Sequence, residues 1–286
     1  MTFGMAPKFH VAAAPAIGDG KPSLSVSLPS TCRTSRRSAC AYDDLDEQRE
    51  PSTVPREFRV RTTFEQRLEG LEAKLLQMGQ LVQSQLDRTL EALAAFDTTL
   101  ADEVIVRDDQ IDRFYVEVEQ EILRTLALQA PVAKDLRLVA GVLHINSHIE
   151  RMGDLCVNMA KFVRITKDYP PVPEIQSTLT EMGSHAQRMV AAAMTCFVRR
   201  DLELAERLPI LDQPLDRLNS EIFRQIDRAT DERALEWASR MILVARYLER
   251  LGDHSVDIGE QVVFIVTGEV KELIPSKAVR AGVEES

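Results

Sequence analysis

From Phe64 onward, apolar residues recur every three or four positions: Phe64, Leu68, Leu71, Leu75, Met78, Val82, Leu86, Leu90 and Leu93. That spacing winds them onto one stripe of an α-helix. Asp97, Thr98 and Thr99 can cap a second helix, which runs through Ile105, Ile111, Val118 and Ile122 to about Leu128. Pro131 is expected to open a third helix, where its missing N–H does no harm. This helix passes Glu150 and Asp154 and stops near Lys167, ahead of Pro170, Pro171 and Pro173. The cycle then repeats, with a helix from about Ile175 to Val198 and another starting near Asp201. A last long helix is opened by Thr230 or Asp231 and ends near Gly268. The pattern predicts an all-α fold: two tandem three-helix bundles, six long helices in all.

The repeat shows in the residues themselves. Met78-Gly79 reappears as Met182-Gly183, an offset of 104 that also carries Asp97 to Asp201, Asp108 to Asp212 and Asp112 to Asp216. The third helices are related by 99, from Glu150 to Glu249, so the second copy is about five residues shorter at its second turn. The expected division is an extension over 1–60, repeats over 61–168 and 175–268, a linker at 169–174 and a tail at 269–286.

Within the repeats, Glu150-Arg151-Met152-Gly153-Asp154 returns as Glu249-Arg250-Leu251-Gly252-Asp253. Residues four apart share a helix face, so each copy lines up two carboxylates; Asn158 and Asp257 continue the stripes. The second helices add Asp108-x-x-x-Asp112 and Asp212-x-x-x-Asp216. With 28% of the chain charged, one such pair reads as a solvated face. Four in register across two repeats read as a cation-binding surface. Neighbouring helices about 8–10 Å apart would face the pairs toward each other, as oxygen sites suited to Mg²⁺, Mn²⁺, Ca²⁺ or iron. His144 and His148 have the spacing of a helical zinc pair, but Glu150 lies about 120° from His144 around the helix. They are read as interface or surface residues. His254 points about 100° from Asp253 and is expected outside the carboxylate site. Cys156 and Cys196 read as small core residues.

Composition narrows the function. A net charge of -10 argues against nucleic acid and suits cations or basic protein surfaces. The four cysteines form no Cys-x-x-Cys, so neither a zinc ribbon nor a disulfide framework is expected, and a reducing cytoplasm is the default. No apolar run approaches the roughly 18 residues of a membrane span. No phosphate-binding Gly loop, Gly-x-Ser-x-Gly or His-Glu-x-x-His occurs. Before about residue 60 the chain is Ala-, Pro-, Ser- and Gly-rich and basic, then acidic from Asp43 to Glu50. That stretch is expected to be disordered, a targeting segment, or upstream of the true start.

Gln129-x-Pro131-Val-Ala-x-Asp135-Leu-Arg137, the two Glu-Arg-x-Gly-Asp copies, the Asp-x-x-x-Asp pairs and Arg61-Thr-Thr-Phe64-x-x-x-Leu68 together resemble the PhoU family of phosphate-uptake regulators, over about 61–268. The resemblance implies two three-helix bundles about a pseudo-twofold. It implies metal ions or clusters (iron, manganese, magnesium or zinc) at Asp108, Asp112, Glu150 and Asp154, and at Asp212, Asp216, Glu249 and Asp253. It further implies a non-enzymatic, cytoplasmic homodimer acting as a negative regulator of the phosphate response. Such a protein couples the ATPase subunit of the phosphate ABC transporter to a sensor histidine kinase and meets the membrane only through these partners. The chain departs from the family in its extension, and in Thr230-Asp-Glu-Arg-Ala-Leu235 where the first repeat has Pro-Val-Ala. Two alternatives stand beside this reading. One is a metal-independent docking adaptor. The other is a di-metal carboxylate oxidase, which needs Glu-x-x-His; Gly153 and Gly252 occupy that third position instead.

Overall fold

The computed structural model describes residues 56–274, with side chains from Phe64. Six helices follow in order: α1 (Arg56–Ala95), α2 (Thr98–Gln129), α3 (Ala133–Thr166), α4 (Pro173–Arg199), α5 (Leu202–Gln225) and α6 (Glu232–Thr267). A short 3-10 turn, Ile226–Arg228, precedes α6. The expectations for the extension before residue 56 and for the tail after Ile274 lie outside the described residues. The helix is already formed at Arg56, ahead of residue 61, where the first repeat was expected to begin. No described helix is long and apolar enough to cross a membrane.

The apolar stripes become the core. Leu71, Leu75, Met78, Val82 and Leu86 of α1 are buried against Ile111, Val118 and Ile122 of α2 and Ile145, Ile149 and Met152 of α3. Trp237 and Phe197 are the bulkiest buried side chains of the second half. α1, α2 and α3 pack on one another, as do α4, α5 and α6; α1 meets α4, and the long seam between the triples runs along α3 and α6.

The internal repeat is visible in the backbone. α1 and α4 end in left-handed residues one offset of 104 apart, Phe96 (φ 54°) and Arg200 (φ 52°). The next residues, Asp97 and Asp201, cap α2 and α5 by accepting from Leu100 and Leu204 N–H groups. At the α1–α4 contact, Gly79 makes room for Met194 while Gly183 makes room for Leu90, the same contact related by the same offset. One helix differs in detail from expectation, and another carries two prolines. α3 begins at Ala133, two residues past Pro131, after Val132 as an N-cap that makes no side-chain bond. α5 runs straight through Pro209 and Pro214, which have no counterpart in α2. Each withholds an N–H from the helix ladder, and burial of the surrounding Leu208, Leu215 and Leu218 holds the helix together regardless.

Candidate functional site

In the first repeat α2 presents Asp108 and Asp112 toward Glu150 and Asp154 of α3. The inner pair, Asp108 and Glu150, is half-buried; the outer pair, Asp112 and Asp154, is exposed. Burial raises the Asp108 carboxyl above its ordinary range, the charges of Asp112 and Asp154 add to this, and a hydrogen bond from Gln85 opposes it. Burial likewise raises Glu150, reinforced by Asp154 and Asp112. All four carboxylates therefore share one field. Gly153 makes the close approach possible, since a Cβ there would lie 3.0 Å from Asp108 Oδ1 and 3.1 Å from Ile111 Cδ1. Gln85 Nε2 donates to Asp108 Oδ1 at 3.0 Å and also faces the Gly153 carbonyl at 3.5 Å.

The second repeat builds the same arrangement from Asp212 and Asp216 of α5 and Glu249 and Asp253 of α6. Asp212 and Glu249 are here fully buried, each 8% exposed, and Asp216 and Asp253 are exposed. Burial pushes the Asp212 carboxyl up to about 7, with Asp216, Asp253 and Glu249 adding their charges. Asp216, Glu249 and Asp253 are raised as well, chiefly by burial, and Arg246 opposes the rise at each. Arg246 Nη1 donates to Glu249 Oε1. Asp212 Oδ1 and Glu249 Oε2 are buried with no hydrogen-bond partner. A buried anion without a donor is costly, and a bound cation is one way to relieve it. The donors are all carboxylate oxygens, the set that hard cations take.

The eight carboxylates singled out from the sequence thus fall into two quartets, one between α2 and α3 and one between α5 and α6. Gln85 and Arg246 were not foreseen. Gln85 left one signal: it is a polar residue on the buried side of α1, among Val82 and Leu86. The histidines also take an unexpected place. His148 Nδ1, His254 Nδ1 and Asp257 Oδ2 meet across the α3–α6 seam. Among the described residues, no other group of His, Cys, Asp or Glu brings three ligand atoms within 4.8 Å of one another. Cys156 and Cys196 are buried in the core, and burial raises both thiols, Cys196 to about 12.

A duplicated helical bundle with mirrored carboxylate quartets is a class of protein with known members. The PhoU domain model matches the chain twice, over 75–163 and 179–262, each match containing one quartet. Two relatives are named phosphate-specific transport system accessory protein PhoU homologs. That of Clostridium acetobutylicum is 31% identical, covering 75% of this chain and 99% of its own. That of Thermotoga maritima is 32% identical, covering 77% and 96%. The crystal structure of PhoU from Pseudomonas aeruginosa superposes with a TM-score of 0.69 at 32% identity, over 72% of this chain and all of that one. The phosphate transport system regulatory protein PhoU from Streptococcus pneumoniae gives 0.63 at 28%, over 73% of this chain and all of that one. The chain belongs to the PhoU family.

Proposed function

We propose that this protein is a non-enzymatic accessory regulator of phosphate transport that restrains phosphate uptake and the phosphate-starvation response from the cytoplasmic side. The relatives it matches are named transport accessory proteins. The quartets hold metal cations, and the bound cations order the acidic α2–α3 and α5–α6 faces for docking. The partners are the ATPase subunit of the phosphate transporter and a phosphate-sensing histidine kinase, engaged by a homodimer. The observation that carries the cation reading is the pair of buried carboxylate oxygens without donors, Asp212 Oδ1 and Glu249 Oε2. When bound, a cation supplies the positive charge that keeps all four carboxylates of a quartet ionised. Asp108 and Asp212 form the floor of each quartet, and the exposed outer acids form the mouth.

Elemental analysis of the purified protein tests this reading together with Asp154→Ala and Asp253→Ala. Bound metal should fall in each variant, and deletion of the gene should raise phosphate uptake under phosphate-rich growth. A metal-independent docking adaptor is the second reading, favoured by Arg246, which already neutralises part of Glu249. Metal-free protein with full regulatory output would establish that second reading in place of the first.

A further inference from the structure

We propose a zinc site on the α3–α6 seam, made by His148 Nδ1, His254 Nδ1 and Asp257 Oδ2 and separate from both carboxylate quartets. The three atoms form an equilateral triangle: His148 to His254 is 3.3 Å, His254 to Asp257 is 3.3 Å, and His148 to Asp257 is 3.3 Å. A tetrahedral ion with ligand bonds of about 2.0–2.1 Å has edges of roughly 3.3–3.4 Å, whereas an octahedral ion at the same bond length has edges of roughly 2.9 Å. The triangle is therefore one face of a tetrahedron. Two imidazoles and a carboxylate are the donors that zinc accepts.

Protons alone cannot account for the triangle. Hydrogen bonds along all three edges would need both Nδ1 atoms to donate to Asp257 while one of them also accepts from the other, which a single ring nitrogen cannot do. If both Nδ1 atoms carry hydrogen and donate to Asp257, the His–His edge sets two N–H groups against each other. If one is bare, it faces the carboxylate oxygen lone pair to lone pair. A metal ion uses all three lone pairs together. His254 Nε2 is buried without a partner whichever tautomer is present, so it does not discriminate between the two states.

The site is open on one side. The His254 side chain is 9% exposed, His148 16% and Asp257 40%, so solvent reaches the triangle past Asp257 and supplies the fourth ligand as water. Its ligands come from both halves of the molecule, His148 from the first and His254 and Asp257 from the second. Zinc there would clasp the seam along which the repeats pack. The site is also single. At the offset of 99 that relates α3 to α6, its mirror positions hold Tyr247, Leu155 and Asn158, which cannot bind zinc together.

Cobalt is the probe that isolates this site. Full-length protein stripped with a chelator is titrated with Co²⁺ and its visible spectrum recorded. Tetrahedral Co²⁺ absorbs strongly, whereas six-coordinate Co²⁺ held by carboxylates absorbs weakly. The expected result is an intense band that saturates at one Co²⁺ per chain and is displaced by Zn²⁺. It should be lost in both His148→Gln and Asp257→Asn, and kept when Asp112, Asp154, Asp216 and Asp253 are all changed to Asn. Zn²⁺ should raise the melting temperature of the wild type by roughly 5–10 °C at a hundredfold excess over its dissociation constant, and that of Asp257→Asn far less. A purely six-coordinate spectrum, or a strong band that survives both substitutions at the triangle, would overturn the proposal. Either result leaves the quartets untouched.

Discussion

The two quartets occupy equivalent places in the two repeats, yet their neighbours treat the inner aspartate in opposite ways. Asp108 receives a hydrogen bond from Gln85 on α1. One offset of 104 along, the equivalent position on α4 is Met189, buried and without a hydrogen-bond donor. Asp212 Oδ1 is accordingly unpartnered, and its carboxyl is raised to about 7. The second difference runs the other way. Arg246 on α6 reaches Glu249, whereas its equivalent on α3 is Ser147, too short to span to Glu150. One repeat solvates its carboxylates with a neutral amide. The other leaves the aspartate bare and brings a guanidinium to the glutamate. Duplicated helices keep the carboxylate positions, and the two quartets then diverge through the residues around them.

The proton balance is the strongest way to break this comparison. The Asp212 carboxyl goes from 3.8 in the unfolded chain to about 7 in the folded one. Between those values the folded chain holds a proton that the unfolded chain has released, so stability falls as pH rises, and the whole cost is present above about pH 7. It amounts to roughly 4 kcal/mol. In chelator-treated protein Asp212 should lower the urea midpoint from about pH 5 to about pH 8, against the opposite contribution of His148, whose burial-depressed ring recovers stability over the same range. Asp212→Asn should flatten that dependence and be the more stable protein at about pH 8. Asp108→Asn should change the slope much less, because Gln85 already supports the ionised form. Equal slopes in the two variants would show that Met189 and Gln85 are interchangeable here.

Glycine sharpens the comparison at a smaller scale. A Cβ at Gly252 would overlap Asp212 Oδ1 and lie 2.9 Å from Leu215 Cδ1, whereas one at Gly153 would sit tightly at 3.0 Å from Asp108 Oδ1 and 3.1 Å from Ile111 Cδ1, so that its neighbours need give only a few tenths of an ångström. Alanine returns up to about 1 kcal/mol of helix propensity at either place, and overpacking costs about 1–3 kcal/mol. Gly153→Ala should come out near neutral, and Gly252→Ala should lose about 1–2 kcal/mol in urea unfolding. The reverse ranking would mean that the second quartet is the looser of the two.

Much of this was legible in the chain because it is periodic. Helix stripes, the 104 and 99 offsets and the carboxylates four apart are one-dimensional patterns, and the six helices follow from them. What lay hidden depends on which helix stands opposite. The 100° turn from Asp253 to His254 does take the histidine off the carboxylate stripe, but no single-helix geometry reveals that α3 fills that flank and meets it with His148. Gln85 and Met189 sit at equivalent points of α1 and α4, and only the packing of Gln85 against Asp108 of α2 shows what a polar side chain there does. α5 carries Pro209 and Pro214 inside it, held by the burial of Leu208, Leu215 and Leu218. Pro131 marked the start of α3 two residues early because the turn continues through Val132.

Arg246 gives the finest test, because its effect should be modest and of predictable sign. Its side chain is 54% exposed, so the pair with Glu249 is largely screened and worth at most about 1 kcal/mol. A divalent cation entering the second quartet meets this guanidinium at the mouth and must displace it from Glu249. Arg246→Ser, which copies the first repeat, should therefore tighten Mn²⁺ binding there about 3–5-fold, consistent with losing a competitor worth up to about 1 kcal/mol. The measurement is calorimetric titration of Mn²⁺ in a background carrying Asp112→Asn, Asp154→Asn and Asp257→Asn, which removes the first quartet and the seam triangle and leaves the second quartet. Ser147→Arg, made with Asp216→Asn and Asp253→Asn instead, should weaken the first quartet by a similar factor. If Arg246→Ser weakened binding, the guanidinium would be holding Glu249 in place for the ion rather than competing with it. The two repeats would then differ in how they prepare the same ligand, not in how strongly they resist the same cation.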